Sequence, residues 1–389
     1  MKIAHLITHL FGSIGGLQVC LHNVCNRHAS QGIDSTVFCC DADRKNFSTS
    51  YTVQKFLTFS GITTFYGISK QFFSWYVSRI QKRHQFDIWQ IYGGYPFGTL
   101  LADFFQTHHI PCVLRCSGDD IQIDNDLQYG VRRQAKIDRI ISKNYRKFTA
   151  VVAISDSVQE EYLKLDIPES RINLIPNGVD GHRLLSPINI DIRRRHGIPE
   201  NSVLLLSVGR MHPKKGYHLI PEILKGLTDS GLDAYWLVIG RGCNELMHQA
   251  GFQQYRSRIR LIEQIGASTS AEPELPSTEL IAYYQSANVF VMTSLMETFG
   301  IVIVEAMAAG LPVVCFNVPG VRDIAQKECG VICPPGDVTA FIRGIRDMIR
   351  LTTDSQEISD NCRNYVKQYS WDHIASRYLD MYHQLLMGR

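Results

Sequence analysis

The sequence contains no Cys-x-x-Cys pair, although 11 cysteines occur among its 389 residues. That absence, together with an odd count and several thiols set inside apolar runs, reads as buried, reduced side chains of a cytosolic protein. No apolar run approaches the roughly 18 residues that a membrane-spanning helix needs. With a mean hydropathy of −0.08, a multipass membrane protein is excluded. Charge of one sign is also scarce. Lys and Arg number 40 against 37 Asp and Glu, and a net +3 gives no argument for nucleic acid as a partner. The N-terminal MKIAHLITHLFG lacks a full apolar core and a small-residue cleavage site, so it reads as a first strand rather than a signal peptide. No fixed-period repeat or low-complexity segment occurs.

What is present is a chain with 45% hydrophobic residues, long enough for two domains. Short runs rich in Val and Ile alternate with longer helical patterns. The first half carries KIAHLI (2–7), STVFCC (35–40), DIWQIY (87–92), PCVLRC (111–116), AVVAIS (150–155) and INLIPN (172–177). The second half carries VLLLSVG (203–209), AYWLVIG (234–240), IRLIEQ (259–264), VFVMTS (289–294) and PVVCFN (312–317). Runs apolar on both faces belong to parallel sheets covered by helices. The polar stretch 181–200, with Pro187, Pro199 and Arg193–Arg195, reads as a linker between two doubly wound α/β domains. Ligands of such sheets bind beyond the carboxyl ends of the strands, so the expected site is a cleft between the domains. The polar stretch 266–279 reads as a loop before a helix starting near Thr278.

The second half carries the chemistry. After VFVMTS comes Glu297-Thr-Phe-Gly-Ile-Val-Ile-Val-Glu305. A helix starting near Gly300 would point free N–H groups and a favourable dipole at an anion. Glu297 would lie in the preceding loop and Glu305 about one and a half turns in, so both could face one ligand. The plain alternative is a loop charge and a solvated helix residue. In Ser207-Val-Gly-Arg210-Met-His-Pro-Lys-Lys215-Gly216, Arg210 sits at a strand's carboxyl end and Lys215 five residues on. Two fixed cations suit a diphosphate, Arg as a fork and Lys as a point charge; a solvated turn is the competing reading. Gly240-Arg-Gly242, again at a strand end, lacks the third glycine of the dinucleotide fingerprint.

These segments together resemble the retaining GT-B glycosyltransferases of the family 4 type. The landmarks are Gly15-Gly16, Ile154-Ser155, Pro176-Asn177-Gly178-Val179-Asp180, Gly209-Arg210 with Lys215-Gly216, and Gly240 with Gly242. They continue with Glu297 through Glu305-Ala-Met-Ala-Ala-Gly-Leu-Pro, Pro335-Gly336-Asp337 and Tyr369-Ser370-Trp371. The resemblance implies a GT-B fold of two Rossmann-like domains facing a central cleft. An acceptor-side domain would span 1–185, a nucleotide-sugar domain 200–369, and a helix at about 370–389 would pack back on the first. It implies that Arg210 and Lys215 hold the donor's diphosphate, that Glu305 accepts bonds from ribose hydroxyls, and that Glu297 contacts the transferred sugar. Gly15, Gly16, Gly240 and the backbone at Phe299, Gly300 and Ile301 would complete the donor site. The implied donor is a nucleotide-diphosphate sugar, UDP- ahead of GDP-, with neither cofactor nor metal. A glycan or lipid-linked acceptor would receive the sugar, in the cytoplasm or peripherally at the inner face of the plasma membrane.

One departure concerns the acceptor side. Where the family often has a histidine after the strand PCVLRC, this chain reads Arg115-Cys-Ser117-Gly-Asp-Asp120. Ser117 and Asp120 are the candidates there, against an ordinary Asx-type turn. Two basic stretches, 70–86 and 132–147, offer either peripheral contact with anionic lipid or solvated helix faces. In the second, positions 132, 136, 139, 143 and 146 share one helical face. The competing enzyme classes are a metal-dependent transferase using Asp41-Ala-Asp43 or Asp124-Asn-Asp126, and an epimerase or phosphorylase on the same fold. A catalytically silent nucleotide-sugar binder is the non-enzyme alternative.

Overall fold

The computed structural model describes residues 1–11, 15–45, 48–116, 118–263, 265, 276–353 and 355–388. The chain divides into two compact units, residues 1–177 with 371–389, and residues 178–370.

The first unit begins β1 (Lys2–Ile7), α1 (Gly16–Ser30), β2 (Asp34–Cys39), β3 (Thr52–Lys55), α2 (Tyr66–His84) and β4 (Ile88–Tyr92). It continues α3 (Thr99–Thr107), β5 (Cys112–Arg115), α4 (Ala135–Tyr145), β6 (Ala150–Ala153), α5 (Asp156–Lys164) and β7 (Ile172–Leu174). Its seven strands are all parallel, in the order β3-β2-β1-β4-β5-β6-β7. Burial explains the apolar runs: every residue of β4, β5 and β6 is buried, because helices cover both faces.

The second unit holds α6 (Gly181–Leu185), α7 (Ile192–His196), β8 (Val203–Val208), α8 (Ile220–Asp229), β9 (Ala234–Ile239) and β10 (Ile259–Ile262). Then come α9 (Thr278–Ser286), β11 (Val289–Met292), α10 (Ile301–Ala308), β12 (Val313–Phe316), β13 (Gly330–Cys333), α11 (Val338–Thr353) and α12 (Glu357–Tyr365). Its six-stranded parallel sheet runs β10-β9-β8-β11-β12-β13. The reversal of strand order at β8/β11 is the doubly wound arrangement.

The last helix, α13 (Trp371–Met387), belongs to the first unit and packs on α1. His28 Nε2 lies 2.9 Å from the Ala375 carbonyl oxygen, and the Tyr382 hydroxyl donates to Gln90 Oε1. The buried Arg115 donates from Nε to the Tyr378 hydroxyl (3.1 Å) and from Nη2 to Asn177 Oδ1 (2.5 Å).

Two expectations about local structure change. The stretch 181–200 is not an open linker. It forms α6 and α7, capped by Asp180 and Asp191, whose carboxylates accept the N–H groups of Arg183 (3.1 Å) and Arg194 (2.9 Å). The unit boundary falls earlier, between Asn177 and Gly178. The basic stripe on 132–147 is also interrupted. Arg132 precedes α4 in a separate turn, and its guanidinium bonds to Asp138 (2.8 Å) and Glu161 (3.0 Å). Arg146 pairs with Asp166 at 2.8 Å, and Lys147 pairs with Asp103. All 11 cysteines are free thiols, and all but Cys40 are buried.

Candidate functional site

Three loops at the carboxyl ends of adjacent strands in the second unit assemble the predicted cations and carboxylates. The loop after β8 carries Arg210 and Lys215. Its backbone is tied to the loop after β9 by Gly209 N–H to Ile239 O (2.8 Å) and Met211 N–H to Arg241 O (2.8 Å). This explains Gly240. A Cβ there would stand 2.2 Å from the Gly209 carbonyl oxygen, so only glycine lets the two loops touch. Gly242 N–H then donates to Glu263 Oε1 at 2.6 Å. The loop after β11 is tied to the same turn by Leu295 N–H to Lys214 O (2.7 Å) and by the Thr293 hydroxyl to Lys215 O (2.8 Å).

That framework brings Lys215 and Glu297 together although they are 82 residues apart. Lys215 Nζ lies 2.6 Å from Glu297 Oε1, Lys214 Nζ lies 3.6 Å from Oε2, and the Ser294 hydroxyl donates to Oε1 at 3.0 Å. Burial works against ionisation of Glu297, but the Lys215 and Lys214 ammonium groups outweigh it and bring the carboxyl down to about 2. Lys214, itself buried, is lowered by desolvation, against which the Glu297 charge works. His212 is lowered by burial and by the charges of Lys214, Arg210 and Lys215. Arg210 is exposed, and its guanidinium makes no ion pair or hydrogen bond with any described side chain. Among the described residues the cluster therefore holds three cations, Arg210, Lys214 and Lys215, against one carboxylate, Glu297.

Gly300, in the left-handed region at φ 75°, turns the chain into α10, with the Ile303 N–H returning to its carbonyl at 2.8 Å. The N–H groups of Ile301 and Val302 have no partner inside the helix, as at any helix start. Phe299 is buried against Tyr369, with ring centroids 6.0 Å apart. Glu305 lies in the fifth position of α10 and is buried. Its Oε2 accepts from the Tyr284 hydroxyl at 2.8 Å, and burial, only partly offset by that bond, pushes the carboxyl up to about 7. The two glutamates thus sit in different hydrogen-bond sets, one ionised by cations and one close to neutral.

The raised Glu305 carboxyl makes stability fall as pH rises. Between about 4.5 and about 7 the folded protein holds a proton that the unfolded chain has released. The expected loss across that window is about 3 kcal/mol. Glu305→Gln should remove the slope, read from urea midpoints at pH 5, 6 and 8; a slope unchanged in the variant would overturn the assignment.

Sequence reasoning missed Lys214, Ser294 and Tyr284. Lys214 was visible as the neighbour of Lys215, but nothing in the pattern says which lysine turns inward. Tyr284 lies in α9, where its apolar neighbours make it look like an ordinary core residue.

The remaining candidates lie in the first unit. Gly15 precedes α1, and its N–H donates to Gln18 Oε1 at 3.1 Å; Gly16 opens the helix. Asp120 is committed to the backbone, its carboxylate accepting from Gly94 N–H (2.5 Å) and Gly118 N–H (3.0 Å). It positions a loop rather than offering free oxygens. Ser117 lies outside the described residues. Three of the four acids in the Asp-x-Asp pairs are likewise engaged, while Asp126 is exposed and makes no bond with any described residue. Asp41 accepts from Leu10 N–H (2.8 Å) and Phe11 N–H (2.9 Å), Asp43 pairs with Lys55, and Asp124 accepts from Leu127 N–H (2.8 Å).

Comparison with known proteins places this geometry. The family profile "Glycosyl transferases group 1" matches residues 189–369, and "Glycosyltransferase Family 4" matches 14–183. An uncharacterized glycosyltransferase of Methanocaldococcus jannaschii is 27% identical over 61% of this chain, which spans 61% of that protein's length. The GDP-mannose:cellobiosyl-diphosphopolyprenol alpha-mannosyltransferase of Xanthomonas campestris is 25% identical over 99% of this chain and 97% of its own. The crystal structure of Anabaena Alr3699/HepE in complex with UDP and glucose superposes with a TM-score of 0.74 at 18% identity, covering 99% of this chain and 100% of that one.

Proposed function

The chain belongs to the GT-B glycosyltransferases of the family 4 type, and from that premise we propose that it moves a hexose from a nucleoside-diphosphate sugar to an acceptor hydroxyl, with retention of configuration and without a metal ion. The observation that carries the proposal is the charge excess of Arg210, Lys214 and Lys215 over Glu297, placed just before the start of α10. A diphosphate supplies the missing negative charge. Arg210 is the uncommitted fork, Lys215 a point charge held in place by Glu297, and the N–H groups opening α10 a third donor set.

Transfer breaks the bond between the anomeric carbon and the diphosphate oxygen. Negative charge grows on the departing phosphate, where fixed cations stabilise it. In the front-face route the acceptor oxygen bonds to the anomeric carbon on the side the diphosphate leaves. The acceptor's proton passes to that phosphate, giving glycoside and nucleoside diphosphate. Glu297, ionised down to about pH 2, holds no proton to donate at neutral pH and acts by accepting bonds from sugar hydroxyls. Glu305 accepts bonds from the ribose hydroxyls, and those donors favour its ionised form.

The acceptor is a hydroxyl of a glycan or a lipid-linked sugar, in line with the diphosphopolyprenol substrate named for the Xanthomonas relative. UDP-glucose, with which the Anabaena neighbour is also crystallised, is the first donor to test and GDP-mannose the second. A thermal-shift screen with UDP-, GDP- and ADP-sugars tests the reading. A donor at 100 times its Kd should add about 2.7 kcal/mol of stability. Transfer activity should persist in EDTA. Failure of every nucleotide sugar to raise the Tm would overturn the donor site, and loss of activity in EDTA the metal-free mechanism.

A further inference from the structure

Five of the large apolar side chains left exposed in the described chain fall in one short stretch: Leu57, Phe59, Phe65, Ile68 and Trp75. Isolated exposed apolar residues need no explanation, but a contiguous group does. Phe65, Ile68, Phe72, Trp75 and Arg79 follow one another at intervals of three and four residues, so they form a single ridge along α2. The opposite face, with Ser69, Phe73 and Val77, is buried in the first unit. Phe65 is 58% exposed, Ile68 68% and Trp75 56%, so these three are open to solvent, with the half-buried Phe72 between them.

The ridge is also preorganised. Phe72 stands 5.7 Å from Phe59 and 6.1 Å from Trp75, and the Arg79 guanidinium lies 5.4 Å over the Trp75 ring. Its last turn carries the exposed Lys82 and Arg83 on the same side. Between Asp43 and Asp87 the sequence has seven Lys or Arg and no Asp or Glu. In the same layer α3 packs on α2 and α4 on α3, and α4 carries the exposed Lys136, Arg139 and Lys143, whose side chains have no carboxylate partner among the described residues.

We propose that the α2 ridge is a docking surface for an anionic lipid bilayer. Phe65, Ile68, Phe72 and Trp75 enter the boundary between headgroups and acyl chains, and Arg79, Lys82 and Arg83 bind the headgroups. A helix with aromatic and aliphatic side chains on one edge and only cations beside them has the composition of an interfacial helix. Charge complementarity selects this partner: Lys55 and Lys70 are paired with Asp43 and Asp103, but Arg79, Lys82 and Arg83 have no carboxylate partner among the described residues and suit a negatively charged surface. The Lys and Arg stems can lie along the apolar boundary while their heads stay with the phosphates. This surface does not depend on the donor chemistry, so it can fail while the transferase reading stands.

The test uses the full chain with vesicles of phosphatidylglycerol and phosphatidylethanolamine, and with vesicles of phosphatidylcholine alone. Flotation should show binding to the first, weakened by salt as surface attraction is screened, and little to the second. Trp75 is the one exposed tryptophan; Trp89, Trp236 and Trp371 are buried. Lipids brominated in the acyl chain should therefore quench emission on binding, and Trp75→Phe should abolish the quenching. Ile68→Ser with Trp75→Ser should lower partitioning by about tenfold or more. The same should follow from Lys82→Glu with Arg83→Glu, while the Tm and its rise with donor stay at wild-type values. Absence of binding to anionic vesicles overturns the proposal, as does binding that the ridge variants leave unchanged. Sedimentation without lipid that reveals a dimer dissolved by the ridge variants also overturns it, assigning the ridge to a second copy of the chain.

Discussion

Lys215→Ala is expected to lower kcat/KM for the donor by about 10²–10³, the range seen when one fixed donor to a developing oxyanion is removed. The argument rests on position. The Lys215 ammonium is not a mobile surface charge, because Glu297 fixes it at 2.6 Å and the Thr293 hydroxyl holds its backbone carbonyl at 2.8 Å. In the proposed reading this rigidity means that no reorganisation is needed as charge moves onto the phosphate. The fold should survive the substitution. Glu297 keeps Lys214 at 3.6 Å and the Ser294 hydroxyl at 3.0 Å, so its carboxylate is not stranded. Steady-state kinetics with the donor found by the thermal screen, and a melting curve of the same sample, separate the two effects. Wild-type turnover would remove Lys215 from the site.

Glu297→Ala should do the reverse and damage stability first. The substitution leaves two adjacent lysines, with side chains only 7% and 12% exposed, without their shared counter-ion. Breaking a buried pair from one side costs about 3–5 kcal/mol, mostly the desolvation of the charge left behind. The pH dependence gives a second handle. Because the folded carboxyl is held down to about 2, its contribution is fully present above about 4.5 and is lost as pH falls through about 2. That contribution amounts to about 3 kcal/mol. Wild type should therefore lose stability across this acid window, and Glu297→Ala should lose less. Urea unfolding at pH 7 and pH 3 measures both. An unchanged midpoint at pH 7 would mean that the lysines are solvated and the ion pair is weak.

The edges of the sheets show where the sequence stopped being readable. Eleven strands stand out as apolar runs, whereas β3 and β13 do not. β3 is Thr-Val-Gln-Lys, at an edge with its residues exposed or half-buried, and β13 is four residues opening on Gly330, also at an edge. A four-residue strand that is half polar, as β3 is, or that opens on glycine, as β13 does, leaves a weaker signal, whereas the other two edge strands, β7 and β10, fall within readable apolar runs. The short α6 and α7 escaped for a related reason. Five-residue helices carry no periodicity to detect, and only the capping Asp180 and Asp191 announce them.

Which acids of the first unit are bonded to backbone is illegible in the sequence for a different reason. Asp41, Asp120 and Asp124 look available in the sequence, because a carboxylate in a loop has the same letter whether it faces a ligand or a backbone N–H. Each turns out to be bonded to backbone N–H groups in the first unit. Hydrogen bonds of that kind close loops locally and leave no periodic trace.

The sequence by itself determined the doubly wound class, the family and the placement of Arg210, Lys215, Gly240 and Glu297 in loops at strand ends. Continuous apolar runs and glycine-marked turns are local properties, and they survive in one dimension. Only the tertiary structure decided which charges answer one another: that Lys215 and Lys214 share Glu297, that Arg210 stays uncommitted, and that Glu305 meets a tyrosine instead of a cation. Those outcomes set one carboxyl near 2 and the other near 7. The physical reason is that Coulomb attraction and desolvation depend on distance and burial, which adjacent parallel strands create between residues 82 positions apart.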